Sequence, residues 1–248
     1  MEDYIIAEDY VLPSNGEVYS EQVNPKIRIR SMTTEEEMKR LSRQDSPYKM
    51  LSEIIDDCIV GTKPGISAYD MCIGDYQYLM YKLRTVTYGS KYSVKTFCPV
   101  CGKPTDSIID LDSLKVHQYS EDLAKYLNIT LPRTKKNIEL RLQTPRMLDD
   151  IKNKSNALLK KSPNASEPAF LYTLESLIYK VDGQVLDAVK LESFVRHLPM
   201  QDSNYIMKSI EKIDIGIDTS ITCKCSHCKS DYDTQLPITR EFFEPSID

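Results

Sequence analysis

Two Cys-x-x-Cys motifs stand 123 residues apart, each among alternating strand-like residues, and helical-period segments lie between them. Together these predict an α+β fold with a helical body inserted between the two CxxC β-hairpins of a split zinc ribbon. The predicted units are an irregular N-terminal segment with a short strand (1–32), a helical segment (33–89), the split ribbon (90–112 plus 216–240) and a mainly helical insertion (113–215), forming one compact unit.

The first 30 residues read as irregular, with turn signals at Pro13-Ser14-Asn15-Gly16 and Asn24-Pro25. Lys26-Ile27-Arg28-Ile29-Arg30 then alternates basic and apolar residues, as a half-buried strand does. Thr33-Thr34-Glu35-Glu36 reads as a capping box that opens a helix. Ser46-Pro47 opens a second, whose buried face is Met50, Leu51, Ile54, Ile55 and Cys58; Gly61 closes it and Pro64-Gly65 is a loop. A third helix is expected over 68–85, with Leu79, Leu83 and Val86 on one side, Tyr76 and Met80 beside them, and Tyr88-Gly89 at its end.

From Ser90 the period becomes two: Tyr92, Val94 and Thr96 alternate with Ser93, Lys95 and Phe97 up to Cys98, and 106–111 returns as the second strand. Further on, 138–142 reads as a strand and Thr144-Pro145 as a helix start. Helices are expected near 145–160, 168–180 and 188–213, with a turn at Asp182-Gly183. Strands resume at 217–222 and 232–238, on either side of the second cysteine pair.

Composition bounds the chemistry. With 248 residues, 41% apolar and 28% charged, the chain can bury a substantial core, and no apolar run approaches the roughly 20 residues of a membrane span. The acidic start Met1-Glu2-Asp3-Tyr4 lacks the pattern of a secretory signal, so a soluble, cytosolic protein is expected. A net charge of −5 disfavours general affinity for nucleic acid. Sixteen tyrosines and no tryptophan are compatible with a partner-binding surface.

Seven cysteines, an odd number, without an export signal argue against a disulfide framework. Cys58 and Cys72 fall on helical faces and read as core. The others cluster: Cys98-Pro99-Val100-Cys101-Gly102 and Cys225-Ser226-His227-Cys228 are two half-sites whose paired sulfurs can face one ion. Cys98, Cys101, Cys225 and Cys228 then complete a closed tetrathiolate, the arrangement of a structural Zn²⁺. Cys223 or His227 could replace one sulfur, but the matched spacing favours Cys225 with Cys228. Closing the long intervening loop has a length-dependent entropy of roughly 4 kcal/mol, against about 10–16 kcal/mol for structural zinc in small peptides. A redox role for Cys98 and Cys101 would leave the second pair unexplained.

No enzyme is expected. A deaminase would need His-x-Glu near Pro-Cys-x-x-Cys, whereas Pro99 follows Cys98. His117, His197 and His227 fall into no catalytic pattern, and no Gly-rich phosphate loop is present among 8 glycines.

Several motifs, taken in order, carry a resemblance: Gly74-Asp75-Tyr76-Gln77-Tyr78-Leu79, Leu83-Arg84, Tyr88-Gly89, the first CxxC with Gly102, and Ile109-Asp110-Leu111. Leu198-Pro199-Met200-Gln201-Asp202-Ser203, Gly216-Ile217-Asp218, the second CxxC and Phe242-Phe243-Glu244-Pro245 follow. Over roughly residues 65–245 the chain resembles the T4-type bacteriophage baseplate hub protein family, which includes hub subunits and a hub assembly factor. It departs at Lys229, where the family pattern has Gly. The resemblance implies a non-enzymatic protein that binds other phage baseplate hub proteins during tail assembly. It would act in the host cytoplasm and could persist in the virion baseplate.

The rival reading is a nucleic-acid-binding zinc ribbon of the transcription or translation type, with Lys91, Lys95, Lys103, Lys224 and Lys229 as its basic face. The acidic whole and the absence of aromatic–basic interleaving count against it. Asp75 and Arg84 read as solvated or paired with neighbours, with a functional surface as the alternative. The Tyr76, Tyr78, Tyr81 series reads as half core and half surface. Phe242-Phe243 reads as docking the C-terminal segment onto its own core, with an exposed partner anchor as the alternative.

Overall fold

The computed structural model describes residues 6–42, 46–162, 168–238 and 240–244; the Met1–Tyr4 stretch and Pro245 lie outside them. The fold is α+β, a mixture of helices and small antiparallel sheets. Strand β1 (Ala7–Val11) pairs antiparallel with β2 (Lys26–Arg30), which pairs in turn with β3 (Ile59–Val60). The expected strand at 26–30 is therefore present, with Ile27 and Ile29 inward. The expected irregular start is not, because Ala7–Val11 is also a strand. Its acidic Glu8 and Asp9 break the alternation, and only pairing with β2 sets its register.

Helix α1 (Thr34–Leu41) has the predicted capping box at Thr33. Glu36 accepts from the Thr33 N–H at 2.7 Å and from the Arg30 guanidinium at 2.6 Å, and Arg30 above all holds its carboxyl down at about 2. Helix α2 (Pro47–Cys58) starts at the expected proline, but Ser46 makes no side-chain cap bond. Asp149, 100 residues away, caps it instead by accepting the Lys49 N–H at 3.0 Å.

Helix α3 (Ile73–Tyr88) is the axis of the main core, with ten of its 16 residues buried. A helix inside on nearly all sides shows little amphipathic signal. It starts five residues later than expected: Asp56 accepts from Ala68 N–H (2.9 Å) and Ser67 Oγ (2.6 Å), holding that stretch as a turn. Tyr76, Tyr78 and Tyr81 are all buried, not divided between core and surface. Asp75 and Arg84 are wholly buried too. Asp75 accepts from Ser14 N–H (2.9 Å), Ser14 Oγ and Tyr19 OH (2.6 Å), tying the N-terminal loop to the helix. Arg84 donates to the carbonyls of Gly89, Lys91 (2.8 Å) and Phe242 (3.2 Å). These are structural partners for charges that would be expensive to bury alone.

After Gly89 (φ 86) the chain forms β4 (Lys91–Phe97) and β5 (Pro104–Asp110), the first hairpin. Next come β6 (Val116–His117), β7 (Asn128–Thr130), β8 (Asn137–Leu140), α4 (Pro145–Lys161), α5 (Ala169–Leu177) and β9 (Ile178–Val181). Then follow α6 (Ala188–Arg196), α7 (Met200–Glu211), β10 (Gly216–Ile217), β11 (Ser220–Lys224) and β12 (Asp231–Gln235). The second hairpin is β11 with β12. Helix α4 begins as expected, with Thr144 Oγ1 accepting the Met147 N–H.

Two expected helices differ. Residues 178–181 leave α5 to form β9, an edge of the β7–β8–β9 sheet, since Ile178 and Val181 bury there against β8. The 188–213 helix is broken at His197-Leu198-Pro199, where Pro199 has no N–H to continue α6 and precedes α7. A second apolar core gathers on this sheet, with Leu131, Ile138, Leu140, Leu174, Leu177 and Ile206 at its centre.

Strand β6 pairs with β10, so the chain leaves and re-enters the hairpin region side by side. There the backbone of β10 touches the start of α3: a Cβ on Gly74 would lie 2.2 Å from the Ile215 carbonyl oxygen, and one on Gly216 (φ +111) 2.8 Å from that of Gly74. Phe242 and Phe243 dock on the main core as expected, Phe242 edge-on to Tyr81 (5.0 Å) and Tyr92 (5.2 Å).

Candidate metal centre

Each half-site is a tight turn at the tip of a hairpin, and the two turns are built alike. Cys98 N–H donates to Lys103 O (3.0 Å) and Gly102 N–H to Cys98 O (2.8 Å); Cys225 N–H donates to Ser230 O (2.9 Å) and Lys229 N–H to Cys225 O (3.1 Å). Gly102 (φ 69) and Lys229 (φ 63) occupy the same left-handed position. Lys229 thus sits where glycine would carry no steric penalty. Lys229→Gly is expected to stabilise the protein by roughly 0.5–1 kcal/mol, the relief of left-handed strain exceeding the added freedom of the unfolded chain. A higher urea midpoint would show it; a lower one would mean that the Lys229 Nζ bond to Ser226 O (2.8 Å) outweighs the strain.

The fold brings the four predicted cysteines together. The sulfurs of Cys98, Cys101, Cys225 and Cys228 all lie within 4.8 Å of one another. The Cys98–Cys228 and Cys101–Cys225 pairs, each joining one hairpin to the other, are 3.7 Å apart. A tetrahedron with metal–sulfur arms of 2.3 Å has edges of ~3.8 Å, so this donor set fits one metal ion. Cys98 and Cys225 are buried, Cys101 is half-buried and Cys228 exposed. Cys223 is buried in the main core and stands outside the cluster. His227 contributes its backbone N–H to Cys225 Sγ at 3.4 Å.

Donors converge on one sulfur. The Cys228 N–H (3.5 Å), the Thr105 hydroxyl (3.5 Å) and the His227 N–H draw the Cys225 thiol down to about 5. The Ser230 hydroxyl and N–H lower Cys228. At Cys101 the Lys103 N–H also pulls down, but desolvation and the three neighbouring thiols push the net value up to about 11. Sulfurs this close repel as thiolates, so full ionisation of the set calls for a cation. Thr105 carried no motif signal: its role follows from the first hairpin facing the second, as does the 2.6 Å bond between Thr96 Oγ1 on β4 and Tyr232 OH.

The other histidines are placed elsewhere. His117 bonds Asp214 beside the β6–β10 pair, and His197 bonds Ser193 O (2.7 Å) at the end of α6. No helix among the described residues is long and apolar enough to cross a membrane.

No curated protein and no solved structure matches the chain. A sequence-family model described as T4 bacteriophage base plate protein matches residues 5–244, nearly the whole length. That span takes in both hairpins, the insertion and the docked Phe242-Phe243 pair. It points to a role in a phage baseplate, with partners among baseplate proteins and a place in the virion baseplate. The chain belongs to the T4 bacteriophage base plate protein family.

Proposed function

We propose that this chain is a non-enzymatic factor for building the hub of a contractile-tail baseplate, acting by binding other hub proteins in the infected cell's cytoplasm. Family membership over residues 5–244 is the observation that carries the reading. The four thiolates of Cys98, Cys101, Cys225 and Cys228 would hold a structural zinc, making the hairpins a split zinc ribbon that supplies rigidity. The nucleic-acid alternative is weakened by the layout of the lysines. Lys95 faces Asp106 across the first hairpin and Lys224 faces Asp231 across the second, so the basic face is broken by carboxylates.

The test is a phage lacking this gene. Tails without a completed baseplate, restored by supplying the protein, are expected, together with about one zinc per purified chain. Normal baseplates from the deletion phage would overturn the role. Iron in place of zinc would overturn the metal assignment alone.

A further inference from the structure

In β4, Tyr92, Val94 and Thr96 face inward and lead to the inward Cys98, so strand parity forces Phe97 outward. Phe97 is 71% exposed. Its cross-strand neighbour is Pro104, also exposed, and the turn adds Pro99 and the 67% exposed Val100. The metal site does not require this. The second hairpin builds the same turn with the same hydrogen bonds, and its equivalent positions are Lys224, Ser226, His227 and Asp231. One scaffold thus carries opposite surface chemistry on its two tips. Single exposed apolar residues are ordinary, but an aromatic with three apolar neighbours on a rigid tip is an anchor-sized patch.

We infer that the tip of the first hairpin is a docking surface for another baseplate protein, Phe97 and Val100 entering an apolar pocket with an acidic rim. The inference rests on the assembly role proposed above. The rim follows from charge. Lys103 flanks the patch and has no ion pair among the described residues, so it carries the tip's unbalanced charge, whereas Lys95 is offset by Asp106 at 3.9 Å. On a chain of net charge −5, this tip offers an acidic partner a face it can approach. A protein is favoured over nucleic acid because prolines and a valine surround the one ring, and these offer bases neither stacking planes nor hydrogen bonds.

The experiment titrates the intact protein with each baseplate protein of the same phage, purified singly. It compares wild type with Phe97→Lys/Val100→His, which writes the second hairpin's residues onto the first. Unchanged metal content and melting are expected, with binding weaker by about 30-fold or more. Lys103→Glu should slow association several-fold at low salt and less at high salt. Undiminished binding by the folded Phe97/Val100 variant would overturn the surface and leave the assembly role standing. Self-association of wild type through this patch, or displacement of the partner by oligo-dT, would overturn it in favour of a second copy or nucleic acid. Absence of any wild-type binding would overturn both the role and the surface. Radical footprinting of the wild-type complex gives an answer even if the variant misfolds: protection of Phe97 is expected, and full reactivity would overturn the inference.

Discussion

Cys101→Ser/Cys228→Ser is expected to purify without metal and to lose its cooperative unfolding transition near physiological temperature. The pair removes one sulfur from each hairpin and leaves Cys98 and Cys225, the two buried members, with no cation to share. A closed thiolate site contributes about 10–16 kcal/mol in small zinc peptides, whereas whole domains are stable by only about 5–15 kcal/mol. The two hairpins are separate two-stranded sheets, and isolated hairpins are marginal in water. Stripping wild type with a chelator should reproduce the same loss by circular dichroism. His227→Ala is the control: it keeps the backbone N–H to Cys225 and should retain full metal content. A Cys101/Cys228 variant with normal metal and an unchanged melt would refute the ligand assignment. Loss of metal from His227→Ala would place the imidazole among the ligands.

Gly74→Ala is expected to destabilise the protein by about 3 kcal/mol or more, near the top of the range for overpacking. The added methyl would meet the Ile215 carbonyl oxygen at 2.2 Å, and the obstacle is backbone, which cannot rotate aside as a side chain can. Relief requires α3 and β10 to separate, which loosens the β6–β10 pair beside them. Gly89→Ala is the matched control. Its φ of +86 is also unfavourable for alanine, but nothing lies within 4 Å of the new Cβ, so only about 1–2 kcal/mol should be lost. Urea denaturation of the three proteins gives the comparison. A Gly74→Ala midpoint equal to that of Gly89→Ala would mean that the α3–β10 contact yields at little expense.

The features legible from sequence are those whose cause is local. The capping box at Thr33 and Glu36, the stop at Gly89, the start at Thr144-Pro145 and the turn at Asp182-Gly183 each need only a few adjacent residues. The cysteine pairs belong here too, because two residues between sulfurs is a property of one turn. That the two turns meet was an inference from chemistry, and the fold places all four sulfurs within 4.8 Å.

The features missed depend on partners far along the chain. Asp75 finds Ser14 at 61 residues' separation, Asp149 caps α2 at 100, and Arg84 reaches the Phe242 carbonyl at 158. In sequence each is a charged residue on a helix, indistinguishable from a solvated one. Strands β1 and β9 are short and lie at sheet edges, so their registers come from a neighbour and not from their own alternation. Gly74 and Gly216 look like helix and strand weaknesses until the backbones are seen to touch. Local sterics and turn spacing act over a few residues, which is why the α+β class, the caps at Thr33 and Thr144, the two cysteine turns and the apolar tip of the first hairpin are legible from sequence. Which charges are buried and which strands form at the sheet edges depends on tertiary packing, because burial is a property of distant segments brought together.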